Sequence, residues 1–153
     1  VIGAIGFTIR SPYEGRWALS VRWLCDTSEW PLVALDVPPG ADPEQLVQAS
    51  IFEEVDALLE KGERFATMHD VRRAGKIDAL RRKRFAEWVK AREAQMKKLL
   101  IAHAAIVSGE LQRGAITALL WIRPAPTDMR VFTSTHDARS WLRERIAADR
   151  ARP

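Results

Sequence analysis

The stretch Leu99-Leu-Ile-Ala-His-Ala-Ala-Ile-Val107 contains a single polar side chain, His103. A continuous apolar run of this length, with no turn residue inside it, reads as a β-strand buried on both faces, the kind found in parallel sheets. Parallel strands need long crossovers, and the flanking sequence supplies helices for them. Before the run, residues 77–98 set Ile77, Leu80, Phe85, Trp88, Val89 and Met96 at helical spacing in a strongly basic segment. After it, residues 110–122 read as a helix that Pro124 and Pro126 bring to an end.

The same alternation extends outward in both directions. Phe65 to Val71 is a short strand, and before it Leu46, Val47, Ile51, Val55, Leu58 and Leu59 fall at helical spacing. Asp42-Pro43-Glu44-Gln45 offers that helix an N-cap, a first-position proline and a capping-box partner, and Gly62 offers a stop. Leu32 to Val37 is a further apolar strand, closed by Pro38-Pro39-Gly40. Trp17, Leu19, Val21, Trp23 and Cys25 alternate with Ala18, Ser20, Arg22 and Leu24, which predicts a half-buried strand forming a hairpin with Gly6 to Arg10. Its turn would be Ser11-Pro12-Tyr13-Glu14-Gly15. Toward the C-terminus, Arg130 to Thr133 is a strand. Ser134-Thr135-His136-Asp137 caps a last helix carrying Ala138, Trp141, Leu142 and Ile146. The expectation is an α/β fold in a single domain over 1–153, with a mixed, mainly parallel sheet, an N-terminal antiparallel hairpin at its edge and four helices.

Length and composition agree: 153 residues, 47% apolar, are enough for a core without disulfides or a structural metal. Cys25 is the single cysteine, which excludes an internal disulfide and any zinc site built on two or more thiolates. No apolar run approaches the roughly 18–20 residues that span a bilayer, and the expected compartment is the cytoplasm. The net charge of +4 conceals a division. Residues 1–60 hold three basic and ten acidic side chains, whereas 72–98 hold eleven basic and three acidic. Either unlike faces associate, an anionic partner is bound, or the acidic first part offsets the basic remainder within the fold.

Two junctions carry a family resemblance. Phe65-Ala-Thr-Met-His-Asp70-Val-Arg-Arg ends a strand in an acidic residue before a helix, and Arg130-Val-Phe-Thr-Ser-Thr-His-Asp-Ala-Arg-Ser-Trp-Leu142 leads a strand into a capped helix. With this element order, the chain resembles the STAS fold of sulfate transporters and anti-sigma-factor antagonists, and most closely its SpoIIAA-like bacterial branch. In the phosphorylated antagonists a Ser or Thr follows that acidic residue. Here Val71, Arg72, Arg73, Ala74 and Gly75 stand in those positions, so the phosphorylation switch does not carry over. The resemblance then implies a scaffold for protein contacts or, as in lipid-transfer proteins of similar fold, a pocket for an apolar ligand.

Candidate chemistry is sparse. His69-Asp70 and His136-Asp137 pair an imidazole with a carboxylate, but His69 ends a strand and His136-Asp137 sits in a helix first turn, where an acid suits the dipole. His103 reads as a hydrogen-bonded core residue, and no two-ligand helical spacing such as H-E-x-x-H occurs. Cys25 lies on the apolar side of its strand, and Ser108 and Ser134 are helix-entry residues, not nucleophiles. Phosphate-cradling glycine loops are missing. The expectation is therefore no catalytic residue, no metal, no cofactor and no enzymatic activity.

Surfaces remain. Arg72, Arg73, Arg81, Arg82, Lys83 and Arg84, with Lys76, are the anion-binding candidates, suited to phosphates, with Arg84 and Arg81 expected near the apolar stripe of their helix. Specific nucleic-acid binding is not expected, since no zinc finger, helix-turn-helix pair or aromatic RNA-binding strand motif is present. Trp17, Trp23, Trp88 and Trp141 read as core. Trp30, and the apolar helix bearing Leu111, Ala115, Leu119, Trp121 and Ile122, are the interface candidates. The leading expectation is a non-catalytic protein-interaction domain that self-associates as a homo-oligomer. The alternatives are a binder of a lipid or other apolar small ligand between helices and sheet, and a non-specific polyanion binder using the 72–84 cluster.

Overall fold

The computed structural model describes residues 8–9, 18–19, 21–43, 46, 50–75, 78–122 and 124–152. Among these residues, seven strands and four helices run in the order β1 (Thr8–Ile9), β2 (Ala18–Leu19), β3 (Leu24–Glu29), β4 (Leu32–Asp36), α1 (Ser50–Glu60), β5 (Phe65–Asp70), α2 (Ala79–Leu99), β6 (Leu100–Ile106), α3 (Glu110–Ile122), β7 (Met129–Phe132) and α4 (Thr135–Arg150). The main sheet has the order β3-β4-β5-β6-β7, with β3 antiparallel to β4 and every other pair parallel. β1 and β2 pair antiparallel as a separate two-stranded sheet.

This is the mixed, mainly parallel α/β sheet with four helices that the alternating sequence predicts, with two differences near the N-terminus. The strand expected over 17–25 is two strands: Ala18–Leu19 stays with the hairpin, while Leu24–Glu29 joins the main sheet as its antiparallel edge. Trp17 and the turn 11–15 lie outside the described residues. Alternation still holds across the break, with Trp23 buried, Leu24 exposed and Cys25 packed on the core. The first helix begins at Ser50 rather than at Asp42-Pro43. Leu46 is buried and forms a parallel bridge with Val21, and the Ser50 hydroxyl accepts a hydrogen bond from the Trp23 backbone N–H at 3.1 Å. Glu44 and Gln45 of the expected capping box lie outside the described residues.

The later caps follow the sequence closely. Ser134 accepts from the Asp137 N–H at the start of α4, and Asp78 accepts from the Arg81 N–H at the start of α2. Each satisfies one of the free N–H groups of a helix first turn. Gly62, past the end of α1, takes the left-handed conformation that a helix stop of this kind requires (φ 70°).

The chain steps in one direction across β4, β5, β6 and β7, so crossover helices of one hand fall on one face. α1 and α2 cover Phe65 and Leu35, and α3 covers Ala105 and Val131 through Ile116. α4 covers the opposite face, where Ala66, Met68, Ala102, Ala104 and Ile106 meet Ala138, Trp141, Leu142 and Ile146. One expected apolar contact is missing. Leu80 is 56% exposed, because it lies nine residues, or roughly 180° around the helix, from the buried Val89. Arg84, five residues or roughly 140° around the helix from Val89, is likewise exposed instead of lying near the apolar stripe. No helix among the described residues is long and apolar enough to cross a membrane.

Candidate functional site

Side chains alternate along a strand, so β5 presents Thr67 and His69 to the α1–α3 face and Ala66 and Met68 to α4. In the neighbouring β6, His103 is in register with Thr67 and Ala105 with His69. The pairing brings three polar side chains together in the middle of the sheet. The Thr67 hydroxyl and His103 Nδ1 share a hydrogen bond at 2.8 Å. The two imidazoles meet edge to face, with ring centroids 4.3 Å apart and planes at 83°.

Above this floor lies a cavity of about 90 Å³. Its walls are Val55 of α1, Phe85, Trp88, Val89 and Met96 of α2, Leu120 of α3, Met129 of β7 and the segment Pro124-Ala125-Pro126-Thr127. The aromatic wall is itself held rigidly. Trp88 stacks on Phe52 at 4.8 Å and donates from Nε1 to Asp56, which also pairs with Arg92. Among the described residues that line the cavity none is charged, and the side chains with polar atoms are Thr67, His69, Trp88, His103 and Thr127. Thr127 is already engaged, donating to the Leu100 and Ile101 carbonyls.

The imidazoles are neutral. Burial pushes His69 well below the ordinary histidine range, with the neighbouring His103 adding to the effect, and burial alone lowers His103 to about 4. His69 Nε2 is buried and has no hydrogen-bond partner among the described residues, as is also true of Trp23 Nε1 and Arg113 Nε. An orphaned polar atom of this kind costs on the order of 1–3 kcal/mol, and of the three only that of His69 belongs to a side chain lining this cavity. Among the described residues there is no group of three or more His, Cys, Asp or Glu able to hold a metal ion. His136 is exposed on the first turn of α4, remote from this pair.

A second cleft, of about 610 Å³, opens at the carboxyl ends of β4 and β5 beside the start of α4. It gathers Asp36, Asp70, Arg72, Arg73, Thr135 and Arg139. Its charges are met internally. Arg72 pairs with Asp70 and donates to the Thr135 hydroxyl, Arg73 pairs with Asp36 at 3.0 Å, and Arg139 pairs with Glu29. Burial raises the Asp70 carboxyl, and the Arg72 hydrogen bonds outweigh it, holding that group below the ordinary carboxylate range.

The anion-binding candidates thus fall into two places. Arg72 and Arg73 sit in this cleft with carboxylate partners. Arg81 and Lys83, on the first turns of α2, face Asp78 and Glu87. Arg82 is half-buried. The acidic first part of the chain does meet the basic remainder inside the fold, through Asp36 with Arg73, Asp56 with Arg92, and Glu29 with Arg139 and Arg143.

The interface candidates are also separated. Trp30 is half-buried, stacked on Phe65 at 6.1 Å and covered by the Lys61 ammonium at 4.9 Å. Leu111 is 87% exposed at the start of α3, and Ala115 is half-buried on the same helix. The side chains of Leu119, Trp121 and Ile122 lie outside the described ones. Cys25 is half-buried, and burial followed by the nearby Glu54 pushes its thiol up to about 11, which keeps it protonated and unreactive at neutral pH. The sequence pairs His69 with Asp70 and reads Trp88 as core; it is the register of β5 and β6 that sets His69 beside Thr67 and His103 instead.

No protein-family model matches the chain, and no curated protein matches it. Among solved structures, the chain is similar to an uncharacterised protein of the DUF3478 family with a SpoIIAA-like fold from Shewanella loihica PV-4. The two are 18% identical, the match covers 80% of this chain and 94% of the other, and the TM-score is 0.49. That likeness is one of fold.

Proposed function

We propose that this chain is a binding domain that holds a small apolar ligand in the cavity between the sheet and helices α1, α2 and α3, without turning it over. The observation that carries this reading is the floor of the cavity. Two neutral imidazoles and a threonine occupy the middle of an otherwise apolar sheet, where valine or alanine would pack more favourably. Mostly apolar walls with a few converging polar groups are the usual make-up of a small-molecule site.

Benzene is the direct probe of the space. In benzene-saturated buffer the melting temperature rises by about 2 °C or more, and the rise disappears in Val89→Phe, whose ring fills the cavity. Absence of any rise in the unmodified chain overturns the reading.

Self-association is the second reading, and Leu111 favours it. This side chain at the start of α3 is 87% exposed, and Leu80, two residues into the adjacent α2, is 56% exposed at the same end of the molecule. A mass that stays monomeric at micromolar concentration, and is unchanged in Leu111→Glu, removes it. Polyanion binding ranks third, because Arg72, Arg73, Arg81 and Lys83 already have carboxylate partners. It requires an affinity that falls steeply with salt.

A further inference from the structure

We infer that the cavity selects a neutral ligand: a body about the size of one ring, ending in a single hydroxyl that hydrogen-bonds to the imidazole pair of His69 and His103, to the exclusion of carboxylates. This rests on the reading of the cavity as a ligand site and adds the ligand's class. Size comes first. The cavity measures about 90 Å³, against the ~150 Å³ of a dry apolar cavity that accepts benzene, so a single ring or a short branched chain uses all the space and part of the mouth. Shape follows from the α2 wall, where Phe85 and Trp88 line the space with aromatic side chains.

Charge decides the class. An anion brought into this space meets no lysine or arginine among the described lining residues, and both imidazoles would have to gain protons against their burial to offset it. A cation meets no carboxylate among them either. A hydroxyl needs neither. It can donate to an imidazole nitrogen or accept from an imidazole N–H, and His69 Nε2 has no protein partner to lose. The Thr67 bond holds the His103 ring in place, so the pair presents a fixed edge to the ligand.

Titration of the full chain with phenol, benzene and benzoate at pH 7.5, by calorimetry or thermal shift, separates the possibilities. Phenol is expected to bind roughly tenfold more tightly than benzene, in line with one net hydrogen bond, and benzoate not to bind measurably. In His69→Phe and in His103→Phe the phenol-to-benzene ratio is expected to fall toward one. That ratio is insensitive to a general loss of stability, and the measurement on the unmodified chain stands if either variant fails to fold. Equal binding of phenol and benzene overturns the hydroxyl anchor and leaves the cavity reading in place. Benzoate binding as tightly as phenol overturns the selection for neutrality. A tenfold ratio surviving in both variants removes the role of the imidazole pair, and failure of all three probes overturns this inference together with the reading beneath it.

Discussion

The two faces of the central strands are built from neighbouring residues and could hardly differ more. Toward α4, β5 and β6 present Ala66, Met68, Ala102, Ala104 and Ile106, small or flexible groups that let the helix sit close and bury Leu142 and Ala138 completely. Toward α1, α2 and α3 the alternate positions of the same strands present Thr67, His69 and His103 beneath an open space. One face closes into a buried apolar cluster under α4, as a stabilising core does. The other forgoes that packing and leaves a buried nitrogen without a partner. Imperfect satisfaction of this kind is expected where a position serves something other than stability.

The largest expected effect is on the packed face. Leu142→Ala removes a fully buried side chain from the α4 seam and should lower the unfolding free energy by about 3 kcal/mol or more in urea titration. Val89→Ala, across the sheet, should cost only about 1 kcal/mol, because one side of Val89 already borders empty space. Equal losses from the two substitutions would erase the contrast between the faces.

Acid is the next lever, and between about pH 6.5 and 4 the shifted groups it reaches first are the two histidines. His103 titrates near 4 in the folded chain and near its ordinary 6.5 when unfolded, and His69 is shifted in the same direction. The unfolded chain therefore binds more protons between these values. Stability is full above about pH 6.5 and falls as the pH drops toward 4, by about 3 kcal/mol from His103. The groups that line the cavity around the pair include no carboxylate or cation to offset the added charge. The carboxylates of Asp70 and Asp149, held below their usual range, give up their stabilisation only below about pH 4, so the two windows separate. The double variant His69→Phe, His103→Phe should lose the slope between pH 6.5 and 4 in urea titrations across that range. A slope that persists would place the acid sensitivity elsewhere.

The smallest effect belongs to the surface. Arg64 holds Asp149 at 2.5 Å and also donates to the Lys98 carbonyl, tying the end of α2 to the end of α4. Arg64 is nearly half exposed, so Asp149→Asn should cost about 0.5 kcal/mol at low salt and less at high salt. A larger, salt-independent loss would show that the helix ends are held more tightly than solvent screening allows.

Much of this was legible in the sequence because alternation and capping are local. The apolar run ending at Val107, the Ser134 cap and the Gly62 stop each pointed to the correct element. Leu46 and Ser50 were less legible, since a bridge to Val21 and a bond to the Trp23 backbone are contacts across the chain that no local pattern reports. The cavity was hidden for a related reason. His103 reads as a lone core histidine within its own strand, and the match that makes it a site is the parallel register placing it beside Thr67. A trace was present nonetheless: Thr67 and His69 stand two apart in a strand otherwise apolar up to Asp70, which puts both on one face. The basic cluster shows the opposite case. Its charges are conspicuous in sequence, yet Arg72 and Arg73 are met by Asp70 and Asp36 once the strand ends converge.

The difference between the two faces comes down to whether the open one receives a ligand, and a crystal structure of the chain grown with saturating phenol tests that most directly. The expected result is a ring between Trp88, Val89 and the sheet, its oxygen within hydrogen-bonding distance of an imidazole nitrogen of His69 or His103. An empty cavity at saturation, or phenol bound only elsewhere on the surface, would contradict it.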